Sequence, residues 1–115
     1  MERKQVDGLI VFSDALFNNA RRQIAALAAE HHLPAMFEGQ EFVEAGGLIS
    51  YGPNIAEMTR RSAAYVDKIL KGASPALLPI EQPTRFELAI NARSAKALGL
   101  SLAPALLARA DKVVE

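Results

Sequence analysis

Four short stretches of the chain hold side chains that could bind or transform a small molecule. Asp14 stands where an apolar run gives way to a helical pattern. A carboxylate there can cap the helix with one oxygen and offer the other to an ammonium or hydroxyl group of a ligand. Glu38-Gly39-Gln40-Glu41 follows a second apolar run, and its acids are either solvated loop residues or ligand contacts. Phe42 is either the anchor of a short helix in the core or an aromatic platform. Ser50-Tyr51-Gly52-Pro53-Asn54 combines hydrogen-bonding groups with tight-turn residues, and it reads equally as turn and cap chemistry or as a ligand loop. Asp14, Glu38, Phe42, Ser50 and Tyr51 are therefore the candidate ligand-binding residues.

Catalytic sets cannot be assembled from the same inventory. His31 and His32 are the only histidines, adjacent at the end of a helical pattern, and neighbouring residues on a helix point apart. They make poor joint metal ligands, no acids stand at chelating spacing with them, and no metal or cofactor is expected. A serine nucleophile at Ser13 or Ser50 would need a histidine base, and neither serine sits in a GxSxG elbow. The glycines at 39, 46, 47 and 52 form neither GxGxxG nor a phosphate-cradling GxxxxGK[ST] loop. With no cysteine there is no thiolate zinc site, disulfide or cysteine nucleophile. Thirteen basic residues balance thirteen acidic ones, and no basic stripe suggests nucleic acid as a partner. The reading is a binding module and not an enzyme.

The elements that must position these residues follow from hydrophobic periodicity. Residues 6–12 (VDGLIVF) predict a strand buried on both faces, as in parallel sheets. Phe17, Ala20, Ile24, Leu27 and His31 recur every three or four residues and predict one amphipathic helix over 15–31, capped by Ser13 or Asp14. Residues 35–37 and 48–51 are further short strands, with a helical turn at 41–45 stopped by Gly46-Gly47. A long helix over 55–71 carries the stripe Ile55, Met58, Ser62, Tyr65, Val66, Ile69 and Leu70. Asn54 and Glu57 suggest a capping-box variant at its start, and Gly72 a left-handed stop at its end. Residues 73–83, with three prolines, read as a linker or crossover. Residues 86–91 alternate as a strand with one face less buried, 93–98 and 104–110 as short helices, and 113–114 as a terminal strand.

Strands alternating with helices predict an α/β unit, a parallel sheet with helices on its faces. Ligands of such sheets sit beyond the carboxyl ends of the strands, here at Ser13-Asp14, 38–42 and 50–54. The N-terminal apolar run is too short for a secretory signal peptide, and no stretch approaches the length of a membrane span. A flavodoxin-like signalling or regulatory domain without catalysis is the alternative on this pattern, although Asp14 lacks the acidic neighbour of a phosphoacceptor site. A nucleotide-sugar or phosphate enzyme would want the missing glycine loops.

Three segments, FVEAGGLISYGPN (42–54), YVDKILKGASPALLPIEQPTRFELAIN (65–91) and AKALGLSLAPALLARADKVVE (95–115), resemble the substrate-binding proteins of ABC importers. The resemblance extends over essentially the whole chain. It implies part of a type I periplasmic-binding protein, a Rossmann-like lobe, and a single α/β unit over 1–115. Residues 1–53 would belong to the C-terminal ligand-binding lobe, and 54–115 would supply the lobe-crossing helix, the hinge strand and the C-terminal segment. In that plan a small-molecule solute, such as an amino acid or a related compound, is trapped between two lobes and delivered to an ABC permease. The full-length protein would be periplasmic or anchored at the cell surface, with its signal peptide and most of its N-terminal lobe outside this chain. Members that bind aromatic amino acids carry Thr-Asp-Asn after the first strand; Ser13-Asp14-Ala15 keeps the Asp alone. Glu38 stands where those members have a serine. With one lobe absent, apolar faces around Ile55, Met58, Val66, Ile69, Phe86, Leu88 and Ile90 are expected to pair two copies into a homodimer.

Overall fold

The computed structural model describes residues 5–83 and 85–115. Its centre is a mixed five-stranded sheet in the order β1-β2-β3-β4-β5. The strands are β1 (Leu9–Val11), β2 (Ala35–Phe37), β3 (Ile49–Pro53), β4 (Phe86–Asn91) and β5 (Lys112–Val114). β1, β2 and β3 run parallel, β4 is antiparallel to β3, and β5 is parallel to β4. The helices are α1 (Ala15–Asn19), α2 (Arg21–Glu30), α3 (Gln40–Glu44), α4 (Ile55–Leu70), α5 (Ala92–Ala97) and α6 (Pro104–Arg109). This is the expected α/β architecture, with one reversal in the sheet.

The reversal has a simple cause. A parallel crossover would have to carry the chain back across the sheet to the start of β3. Instead α4 leads away from the sheet, and the proline-containing return segment comes back to the end it left, so Pro53 lies in register with Phe86. Sixteen helical residues extend about 24 Å at 1.5 Å each. None of them is buried. The Cα radius of gyration is accordingly 17.5 Å, against about 13 Å for a compact domain of this length.

Packing is concentrated on one face of the sheet. Val11, Ala35 and Phe37 meet Ala28 of α2 and Phe42 of α3, with Leu9 and Ile24 packed against them. Phe37 and Phe42 stack with ring centroids 4.6 Å apart. Ala89 continues the Phe37–Ser50 row on this face, Ile90 is fully buried on the opposite side of β4, and Val43 and Ala95 are buried in α3 and α5. Asn91, 5 % exposed, is the polar group that stitches this layer. It donates to the Val43 carbonyl at 3.1 Å and caps α5 by accepting from the Ser94 amide at 3.0 Å.

Several sequence expectations are corrected at this level. The helix expected over 15–31 is two helices, broken at Ala20. The Arg21 guanidinium takes the Asn18 carbonyl at 2.9 Å, so that oxygen is satisfied outside a continuous helical ladder. The buried side of α2 is Ala25 and Ala28, one position away from the expected stripe, and Leu27 and Phe17 are exposed. β1 is the edge of the described sheet and buries only Val11. β4 is the better covered strand, with Ala89, Ile90 and Asn91 all buried between β3 and β5. Glu57 does not reach back to complete a capping box; its carboxylate pairs with Arg60 at 2.6 Å.

Candidate ligand-binding site

The carboxyl ends of β1, β2 and β3 point the same way, so the loops that follow them share one rim. Asp14 ends the first loop. Its backbone is extended, and its Oδ1 accepts from the Leu16 amide at 2.8 Å, which makes it the cap of α1. The side chain stays exposed. Glu38 directly follows β2, and its Oε2 accepts from the Ser13 amide at 2.6 Å. One charge-assisted bond thus ties the first loop to the second and places Glu38 against Ser13, the residue before Asp14.

The third loop is held by close packing. A Cβ at Gly52 would fall far inside van der Waals contact of the Glu38 carbonyl oxygen and 3.1 Å from its carbonyl carbon. Only a residue without a side chain lets β3 pass so near the Glu38 backbone. Glu38 therefore touches both neighbouring loops, one through its side chain and one through its main chain.

The rim is anionic. Each of the two carboxylates has one oxygen engaged by a backbone amide and one left over. Among the described residues no cationic side chain pairs with either. Chemically such a rim suits an ammonium or a set of hydroxyl donors. Among the described residues no three of the His, Cys, Asp and Glu side chains come together to hold a metal ion. No described helix is long and apolar enough to cross a membrane.

The other three candidates are placed differently. Phe42 is 2 % exposed and its ring is committed to the stack on Phe37, facing the core. Ser50 is 1 % exposed and lies in the middle of β3 between Phe37 and Ala89. Tyr51, the next residue, faces the other side of the sheet, half exposed, and stacks on Phe86 with centroids 5.7 Å apart. The structure links the loops of Asp14 and Glu38 through the Ser13–Glu38 bond, buries Phe42 and Ser50 beneath them, and sets Tyr51 on the strand that runs beside Glu38.

Sequence reasoning did not find Gly52 as the contact between β3 and Glu38, nor Asn54 and Glu87 as a pair. Asn54 caps α4 through Oδ1, accepting from the Glu57 amide at 3.0 Å. Its Nδ2 donates to both carboxylate oxygens of Glu87, each at 3.3 Å. The partners are far apart in sequence and no local pattern links them.

Comparison with known proteins decides the family. The sequence profile of the ABC transporter substrate binding protein family matches residues 1–114. The chain belongs to that family. Solved structures share its fold. A conserved domain protein from Vibrio cholerae O1 biovar El Tor is 26% identical with a TM-score of 0.89, over 96% of this chain and 37% of that one. An ABC domain from Streptococcus pneumoniae, solved in complex with L-Trp, is 23% identical with a TM-score of 0.90, over 98% of this chain and 38% of that one. A substrate-binding protein with adhesive properties from Clostridium difficile, in a ligand-free, open form, is 24% identical with a TM-score of 0.64, over 96% of this chain and 37% of that one. The chain spans well under half the length of these structures. A search of curated proteins finds no match.

Proposed function

We propose that the chain is the solute-capturing part of an ABC importer, that it binds without breaking bonds, and that Asp14 and Glu38 face the ligand. The observation that carries this reading is the joining of three strand-end loops through one residue, Glu38. That is where α/β sheets bind ligands, and it is built in a member of a substrate-binding family. Asp14 offers a carboxylate to the amine of an amino acid or a related cationic solute; the Streptococcus pneumoniae domain with L-Trp sets the first compound to try. On this reading Ser50 and Tyr51 shape the floor and flank of the site, and Phe42 supports it from the core.

In the longer protein, residues 1–53 contribute to one lobe, and α4 with the return segment crosses to a second. The closed form is presented to a permease at the outer face of the membrane. As it stands, the chain exposes 8447 Å², about 2,300 Å² more than a compact monomer of its mass. A standard interface covers roughly 800 Å² per partner, less than this surplus, and the exposed α4 stripe and the Tyr51–Phe86 face are where two copies would pair. Sedimentation should show a dimer at high concentration, and only monomer would remove that part of the reading.

The binding test is a thermal-shift screen of L-Trp, other amino acids, purines, sugars and small carboxylates. A ligand at a hundredfold excess over its dissociation constant adds about 2.7 kcal/mol of apparent stability. The expected result is a shift with an amine-bearing class that Asp14→Ala abolishes. A shift with carboxylates or sugars that Asp14→Ala leaves intact would overturn the assignment.

A further inference from the structure

α4 stands clear of the sheet, yet its direction is fixed at three points. Near its middle Arg61 Nη2 pairs with Glu81 Oε2 at 2.7 Å. One turn later the Tyr65 hydroxyl donates to the Pro79 carbonyl at 2.8 Å. These two bonds strap residues 79–83 along the helix, and Pro79 and Pro83 stiffen the strap itself. A small cleft lined by Met58, Ser62, Gln82 and Pro83 lies between helix and strap. At its base, the helix is joined to the sheet by the Asn54–Glu87 bonds.

The sheet end of this assembly is narrow. β3 leaves and β4 enters side by side, Pro53 opposite Phe86. Where the outgoing and incoming chains pass the sheet end, the Asn54–Glu87 bonds bridge them, and the Arg61–Glu81 and Tyr65–Pro79 contacts lie farther out along α4. The helix and its strap therefore form one arm, which meets the sheet at two strand ends, at the Asn54–Glu87 tie and at the exposed Arg85–Asp111 pair, 3.6 Å apart; of these two ties, the first holds the helix itself.

We propose that the Asn54–Glu87 tie is the positioning element of a hinge, setting the angle at which the α4 arm stands on the sheet. Asn54 suits the task because its two ends act separately. Oδ1 caps the helix while Nδ2 holds Glu87, so the helix start cannot rotate without losing one of the bonds. Its bearing on capture rests on the function proposed above, in which the arm reaches the second lobe and closure swings it about this point. The tie itself can be tested without any ligand.

The chain has no cysteine, so Ala64→Cys on α4 and Ala97→Cys on α5 place two spin labels at exposed sites without background. Pulsed electron-spin distance measurements, diluted with unlabelled chain to suppress contacts between copies, then report the arm angle. In the parent a single narrow distribution is expected. Glu87→Ala should broaden it about twofold or more, as a fixed arm becomes a mobile one. Glu87→Gln, which keeps an acceptor, should restore it. Asn54→Asp keeps a helix-capping oxygen but has no donor for Glu87, so it should broaden the distances with α4 helicity intact by circular dichroism. This second variant decides the matter if Glu87→Ala fails to fold. A parent distribution already broad, or one unchanged in both Glu87→Ala and Asn54→Asp, would overturn the proposal. A failed ligand screen with the predicted broadening would remove the capture role and leave the hinge standing.

Discussion

Replacing Gly52 with alanine tests the packing on which the strand-end rim depends. The new Cβ would press on the carbonyl oxygen and carbon of Glu38, which are backbone atoms and cannot rotate aside. β3 or the Glu38 loop must move, and inserting a methyl into a site this tight costs roughly 1–3 kcal/mol. Unfolding entropy of about 2.1 cal/mol/K per residue gives roughly 0.24 kcal/mol/K for a chain of this length, so a cost of about 1–3 kcal/mol lowers Tm by about 4–12 °C. Gly8→Ala is the control. There a Cβ meets only the Pro34 carbonyl oxygen at 3.6 Å, an ordinary contact. A glycine replaced without strain changes stability by about 0.4–1 kcal/mol, so this variant should melt within about 4 °C of the parent. The assay is thermal melting followed by circular dichroism, with both variants and the parent in one buffer. If Gly52→Ala melts within about 4 °C of the parent, like the control, β3 does not press on Glu38 and the rim is not built as described.

Three further outcomes follow from the same geometry. Phe42→Ala should cost about 3–5 kcal/mol of stability in denaturant unfolding, because it empties half of the Phe37–Phe42 stack; a small loss of stability would argue against its core role. Asn91→Ala should cost about 2–3 kcal/mol, since it removes the cap of α5 and leaves the Val43 carbonyl without its side-chain donor. Tyr65 titrates above its ordinary 10.0, first through desolvation against the strap and then through the Glu81 carboxylate. A raised folded-state value favours the neutral phenol. Its bond to Pro79 is therefore fully present below pH 10 and is lost as pH rises through the raised value. Ultraviolet titration should show a late-ionising component that Tyr65→Phe removes.

Much of the fold is legible in the sequence because local signals and tertiary outcome agree. The apolar runs at 9–11, 35–37 and 49–51 are strands, Asp14 and Asn54 cap the helices that follow them, and Gly72 takes the left-handed conformation after α4. The direction of β4 is not written locally. It depends on whether α4 returns over the sheet or leads away, and the amphipathic stripe of α4 is the same in both cases. Burial of single strands was misjudged for a related reason. Hydrophobic content alone marks β1 as central, while its place at the edge depends on what lies beside it. Within the site, Asp14 and Glu38 could be singled out because acids at the carboxyl ends of strands are unusual core formers. Phe42 and Ser50 share that loop context in sequence, yet the structure buries both. Glu38 to Ser13, Glu38 to Gly52 and Asn54 to Glu87 are long-range meetings that periodicity does not encode.

The most direct test of the central claim is an amide-resolved NMR titration of this chain with L-Trp, followed by other amine-bearing solutes. Solute capture at the strand-end rim predicts shifts confined to Ser13, Asp14, Glu38, Gly39 and the Ser50–Gly52 stretch, and their loss in Asp14→Ala. Shifts absent from these loops for every solute, or spread instead along the exposed face of α4, would contradict it.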